Sequence, residues 1–340
     1  MRVWYGFMIA LFGWSTPMLA QRPDEPLAQE LARQFKNRYL SLGVLLQTVA
    51  DFQPDPPAGQ SNGFSIPNFR LLLSGELDAG FGYAFQANLA RSPAILDARM
   101  YYKVGSNVAV DVGQFKAPFS REFLTYAGNI DFVNRSQVVT ALAPGRQLGM
   151  QLRVGGIGGV LGFEGGIFNG NGISVSGNDG NGFMVAARFG ASGTLARGGS
   201  WGVAVNGARS SDRDASFGEG FAQHFSGERS LVGADARWEA GRWLLSGELI
   251  WSELSPTPGA SRNPWGYHAT LGYRVQPFTQ LLVRWDAFDP DDNSDRSDLI
   301  ILGLNFWPTS ATEFQINYLV QAQTPEPRRQ RLLINFQFGF

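Results

Sequence analysis

From Tyr39 to its last residue the chain is a succession of short segments in which apolar and polar residues largely alternate. In FGYAFQANLA, Phe81, Tyr83, Phe85, Ala87 and Leu89 fall on one side, with Gly82, Ala84, Gln86 and Asn88 on the other. A period of two marks a strand with one apolar and one polar face. Sixteen such segments can be counted, at about 39–52, 64–77, 80–90, 97–104, 107–116, 147–155, 159–169, 182–190, 200–209, 230–240, 241–251, 265–275, 279–288, 299–307, 312–321 and 330–340. Most approach the ~9–11 residues that a tilted strand needs to cross a bilayer. Short turns such as DAG, GSN and WPTS alternate with long polar loops such as NGNGISVSGNDGN. That asymmetry between the two ends is expected of an outer-membrane barrel.

A soluble β-sandwich would also bury one face of each strand, so the polar parity has to decide between the two. It carries Arg70, Arg99, Lys103, Arg153, Arg188, Arg237, Arg274, Arg284 and Arg331, together with Glu76, Asp111, Asp235, Glu248, Asp286 and Glu313. Desolvating so many charges in a packed core would cost several kcal/mol each. A water-filled lumen leaves them hydrated, and a barrel of about sixteen strands is wide enough to hold one. The apolar parity places Phe81, Trp201, Trp238, Trp243, Trp251, Trp265, Tyr273, Trp285 and Phe306 at segment ends, where an interfacial girdle belongs. The expected fold is therefore all-β: a transmembrane antiparallel β-barrel of about sixteen strands. Mean hydropathy near zero does not oppose this, because alternation hides the apolar face.

The formal net charge of −1 argues against a nucleic-acid partner, and the absence of cysteine excludes disulfides and thiolate chemistry. No cofactor or metal is implied. The acidic run from Phe288 to Asp295 lacks the spacing of an EF-hand and reads as a solvated loop. At the start of the chain, MRVWYGFMIALFGWSTPMLA has the layout of a secretory signal peptide over residues 1–20, cut near Ala20. Residues 21–38 form a short N-terminal segment in which EPLAQELARQF has helical potential. The barrel follows over 39–340.

One run breaks the strand pattern. Between Lys116 and Gln147 lie about thirty residues, far beyond an ordinary connection. They bring Lys116, Arg121, Arg135 and Arg146 against Glu122 and Asp131. A loop this long can fold into a wide barrel and narrow it. Wall charges are screened over ~8 Å at physiological salt, so a wide pore selects weakly unless cations are brought close to the path. Arginine suits oxyanions through its planar, bidentate fork.

The order GQFKAPFSREFL, DFVNRS and PGRQLGMQL, with VRWDAFDPD, LGLNFWP and FQINYLVQ further on, resembles the phosphate-selective porin O and P family over about residues 39–340. The resemblance implies a sixteen-stranded, homotrimeric outer-membrane pore that passes small anionic solutes such as phosphate. It puts Lys116, Arg121, Arg135 and Arg146 in or beside the inward constriction loop, with Arg70, Arg99, Lys103, Arg153 and Arg284 along the lumen wall. Asn134 stands where relatives often carry a glutamate. The closing strand RLLINFQFGF, ending on Phe340, is similar to the signal by which outer-membrane barrels engage their assembly machinery.

Several functions compete on this scaffold. The leading expectation is a passive porin for small hydrophilic solutes with anion preference. In the alternative, a non-selective or sugar-type porin, the same arginines pair with carboxylates and only stiffen the wall. A purely structural barrel would tolerate a plugged lumen, which a sixteen-strand width does not suit, and an outer-membrane hydrolase would need a histidine beside a nucleophilic serine. His224 and His268 show no such motif, so no enzymatic activity is expected.

Overall fold

The computed structural model describes residues 35–54, 56, 61–178, 182–196, 198–215, 225–291, 296–322 and 330–340. The signal-peptide and N-terminal helix expectations fall almost wholly outside these residues, as do positions 292–295 of the acidic run. All sixteen alternating segments form strands: β1 (Ser41–Phe52), β2 (Gly63–Glu76), β3 (Phe81–Asn88), β4 (Ile95–Lys103), β5 (Val108–Lys116), β6 (Arg146–Ile157), β7 (Leu161–Phe168), β8 (Met184–Thr194), β9 (Ser200–Ala215), β10 (Phe225–Ala240), β11 (Trp243–Pro256), β12 (Trp265–Gln276), β13 (Thr279–Asp289), β14 (Ser297–Thr309), β15 (Thr312–Gln321) and β16 (Gln330–Gly339). Each pairs antiparallel with its sequence neighbour, and β1 closes on β16 with Leu45 opposite Gly339 and Phe52 opposite Leu332. A closed ring leaves no unpaired strand edge, the condition for crossing hydrocarbon with strands.

The largest departure from the sequence reading is the β9–β10 hairpin, expected over 200–209 and 230–240. Both strands run further, because Arg229 and Asp212 form a buried ion pair at 3.0 Å that holds the polar upper part of the hairpin together. Alternation of apolar and polar residues fades there, so periodicity alone stops short.

The apolar parity faces outward. Met100, Val112, Val205, Val232 and Leu302 are all more than half exposed, as lipid-facing side chains must be. Aromatic residues rim this belt at two levels. Trp201 lies opposite Trp238, and Trp243 opposite Tyr273, beside the short turns; Trp251 lies opposite Trp265 at the other rim. The polar parity faces inward, and there the structure adds something that periodicity does not show. Two helical turns, α1 (Arg121–Leu124) and α2 (Gln137–Leu142), belong to the segment between β5 and β6. Phe119, Val138, Val139, Ala141 and Leu142 of this segment form one apolar core with Phe168, Met184, Leu231, Ile250 and Phe288 of the wall. A second cluster joins Phe132 to Leu244, Leu282 and Ile301. Each fully buried Phe or Leu contributes about 1.5–3 kcal/mol relative to exposure. The main core of the protein thus lies inside the barrel, between the segment and one side of the wall.

Candidate pore constriction

The segment begins at Pro118, in the KAPFS stretch that ends β5. Ser120 takes a left-handed φ of +65°, and its hydroxyl accepts a hydrogen bond from the Phe123 amide at 3.0 Å, which starts α1. From there the chain crosses the inner face of the barrel, bonded to one wall residue after another. Asp235 of β10 accepts from Arg121, Glu248 of β11 from the Glu122 amide, and Asp286 of β13 from the Gln137 amide. Asn305 of β14, Gln315 of β15, Gln337 of β16 and Gln47 of β1 donate to the carbonyls of Asp131, Ile130, Gly128 and Ala127. These partners all lie on the parity opposite the lipid belt, so the segment rests against the lumen side of β10–β16 and β1.

Glycines in the wall make room for it. A Cβ on Gly266 would stand 2.9 Å from the Cβ of Val138, and one on Gly303 would stand 3.0 Å from the Phe132 ring. On β9, a Cβ at Gly202 would meet the Arg121 guanidinium at 2.4 Å. In the sequence these residues read only as small members of alternating strands.

The four cations expected at the constriction divide into two kinds. Lys116 donates to the carbonyls of Phe123, Leu124 and Thr125 at 2.5, 3.1 and 3.0 Å. Arg135 reaches the same turn, donating to the carbonyls of Glu122 at 3.0 Å and Thr125 at 2.8 Å. Both cations close the C-terminal end of α1, where carbonyls lack helical partners. Arg121 and Arg146 instead pair with carboxylates: Arg121 with Asp235 at 3.0 Å, and Arg146 with Asp97 at 2.9 Å.

The wall residues also sort by environment. Arg284, expected to line the lumen, is buried beneath the segment, 2.8 Å from Glu122. Its charge is used to hold the segment, and Glu122 gathers the Ser136 amide and hydroxyl as well, at 2.8 and 2.7 Å. Burial would raise the Glu122 carboxyl, but Arg284, His268 and Ser136 overcome that and hold it down at about 2. His268 lies in the same buried layer, its Nε2 3.8 Å from Glu122. Arg70 bonds Asn68 through Nε at 2.7 Å, and its terminal nitrogens meet no carboxylate among the described residues. It shares its surroundings with Arg146, Arg135 and Asp97, the same charges that surround Lys116. Among the described residues, Arg70, Lys116, Arg135 and Arg146 share these surroundings with the carboxylate of Asp97.

Between the segment and the short-turn end of β4–β9 lies an open cavity of about 540 Å3, with Arg121 of the segment on its wall. Its charged lining is Lys103, Arg121, Arg153 and Arg188 against Glu164. Asp111 and Asp235 do not line it; each is fully buried and holds two arginines. Arg153 bonds Asp111 at 2.5 Å with Arg99 at 3.8 Å, and Arg121 and Arg188 share Asp235. At the short-turn rim Lys103 pairs with Glu76.

A family model described as phosphate-selective porin O and P matches residues 45–340. The chain belongs to this porin family. Fold and family together place the porin in the bacterial outer membrane and make it a channel protein. Among solved structures it is similar to an anion-selective porin from Comamonas acidovorans, with 14% identity and a TM-score of 0.67, covering 88% of this chain and 99% of that one. It is also similar to Pseudomonas putida OprB, with 12% identity, a TM-score of 0.63 and coverage of 92% and 96%. For Salmonella typhi OmpF the values are 8%, 0.61, and 88% and 97%. At these identities the likeness is one of fold. No curated protein matches the porin in sequence.

Proposed function

We propose that the porin lets small hydrophilic solutes diffuse down their gradients and favours anions, oxyanions such as phosphate among them. One observation carries the reading: among the described residues the cavity is lined by Arg121, Arg153, Arg188 and Lys103, the last paired with Glu76, against the single lining carboxylate Glu164, because Asp111 and Asp235 are buried behind the arginines they hold. Ion pairing in this wall does not silence the arginines, since each carboxylate accounts for only one of the two it touches. In a narrowed, low-dielectric passage such a surplus raises the local anion concentration. Within this reading Arg70 and Arg146 act at the constriction, Arg99, Lys103, Arg153 and Arg188 along the wall, and Lys116 and Arg135 shape the segment. The Comamonas acidovorans protein is described as anion-selective, which fits the same assignment.

The protein in this proposal is exported through its N-terminal signal, inserted by the assembly machinery through the strand ending at Phe340, and assembled as a homotrimer in outer-membrane lipid. A Vibrio cholerae outer-membrane protein of similar fold is described in a trimer form. No catalytic step is assigned to any residue.

Liposomes carrying the purified protein provide the test. Uptake of a small sulfonate or phosphate ester is expected to exceed that of an ammonium solute of the same size by at least about threefold. Equal uptake of the two would favour the non-selective reading.

A further inference from the structure

Beneath the segment, three titratable side chains stand in one row across adjacent strands. Glu248 of β11 lies directly opposite His268 of β12, and His268 directly opposite Asp286 of β13. All three are at most 5% exposed. The segment sits on the two ends of this row: the Glu122 amide bonds Glu248 at 3.2 Å, and the Gln137 amide bonds both oxygens of Asp286 at 3.1 Å. Between them the Glu122 carboxylate comes within 3.8 Å of the His268 Nε2.

The bonding here is incomplete. Both imidazole nitrogens of His268, the second oxygen of Glu248 and Nη1 of Arg284 are buried without a hydrogen-bond partner. The charge is also unbalanced, with three carboxylates, Glu122, Glu248 and Asp286, against the single guanidinium of Arg284. The other charged groups nearby are committed elsewhere: Asp235 to Arg121 and Arg188, Asp131 to Arg237, and Arg135 to the carbonyls of α1. Glu122 itself stays ionised at any ordinary pH. When like charges share a dry site, they share a proton.

We propose that Glu248, His268 and Asp286 are positioning residues that hold the constriction segment through one shared proton, so that the segment is seated firmly in mild acid and loosens in alkali. With the proton bound, the imidazole edge can donate to the Glu122 carboxylate, and the wall repels the segment less. When it leaves, the fixed negative charge of Glu122 faces two further carboxylates across a neutral ring. The channel consequence rests on the pore reading above; the seating itself does not.

Hydrogen exchange at the amides of Glu122 and Gln137 tests the seating without any need for conduction. After correction for intrinsic rates, their protection is expected to rise about tenfold between roughly pH 9 and pH 6. In the double variant Glu248→Gln with Asp286→Asn, which keeps an acceptor oxygen at each position, protection should be independent of pH. If that variant does not fold, His268→Gln serves instead, with a profile displaced along the pH axis. A flat wild-type profile, or variant profiles that superimpose on the wild type, would overturn the proposal. Bilayer recordings add the channel readout: open-channel current fluctuations should grow with pH in the wild type alone. A channel that conducts yet exchanges without pH dependence contradicts the seat and leaves the pore standing.

Discussion

Alanine in place of both Arg70 and Arg146 is expected to bring the ratio of anion to cation permeability down to near one, with conductance within about twofold of wild type. Arg70 is the cation at the constriction whose terminal nitrogens meet no carboxylate among the described residues, and Arg146 balances Asp97. Removing both leaves Asp97 without its partner and takes two guanidiniums away from the constriction. The matched control is Arg135→Ala. Arg135 spends its donors on the carbonyls of Glu122 and Thr125. Its loss should therefore loosen α1, seen as faster proteolysis and noisier current, with a smaller change in the permeability ratio. If Arg135→Ala abolished selectivity while Arg70→Ala and Arg146→Ala together left it intact, the assignment of roles would be reversed.

The second large effect is expected at a residue with no side chain. Gly266→Val would place methyl groups where α2 now meets the wall, since even a Cβ there stands 2.4 Å from the Ala287 carbonyl oxygen and 2.9 Å from Val138. Overpacking of this kind typically costs 1–3 kcal/mol. The Ala287 carbonyl belongs to β13, so the β12–β13 ladder must give way locally at this rung, while its remaining rungs and the whole β11–β12 ladder still close the barrel. The segment should be pushed off its side of the lumen, raising single-channel conductance by roughly half or more and weakening selectivity. Unchanged conductance in a folded Gly266→Val protein would mean that the segment does not narrow the path.

Much of this architecture is legible in the sequence because a strand's two faces are written in its alternation. All sixteen strands, their parity and the aromatic rims follow from that period, and the long run between β5 and β6 announces itself by interrupting it. The pairing of charges is another matter. Arg121 meets Asp235 across 114 positions and Arg237 meets Asp131 across 106, distances over which no periodic signal survives. For the same reason Arg284 reads as one more lumen arginine, although it lies under the segment against Glu122. The apolar residues on the inner parity, such as Phe168, Leu231 and Ile250, look like breaks in the alternation until the segment that covers them is in place. Glycines that admit α2 and Phe132 carry no local mark at all, because what they supply is space.

Arginines outnumber the carboxylates open to the path and should make this porin prefer anions. The reversal potential of the purified wild-type protein in a planar bilayer, under a tenfold potassium chloride gradient, tests it most directly. The expected potential has the sign and size of chloride crossing several times more readily than potassium. A potential near zero, or one of cation-selective sign, would contradict it.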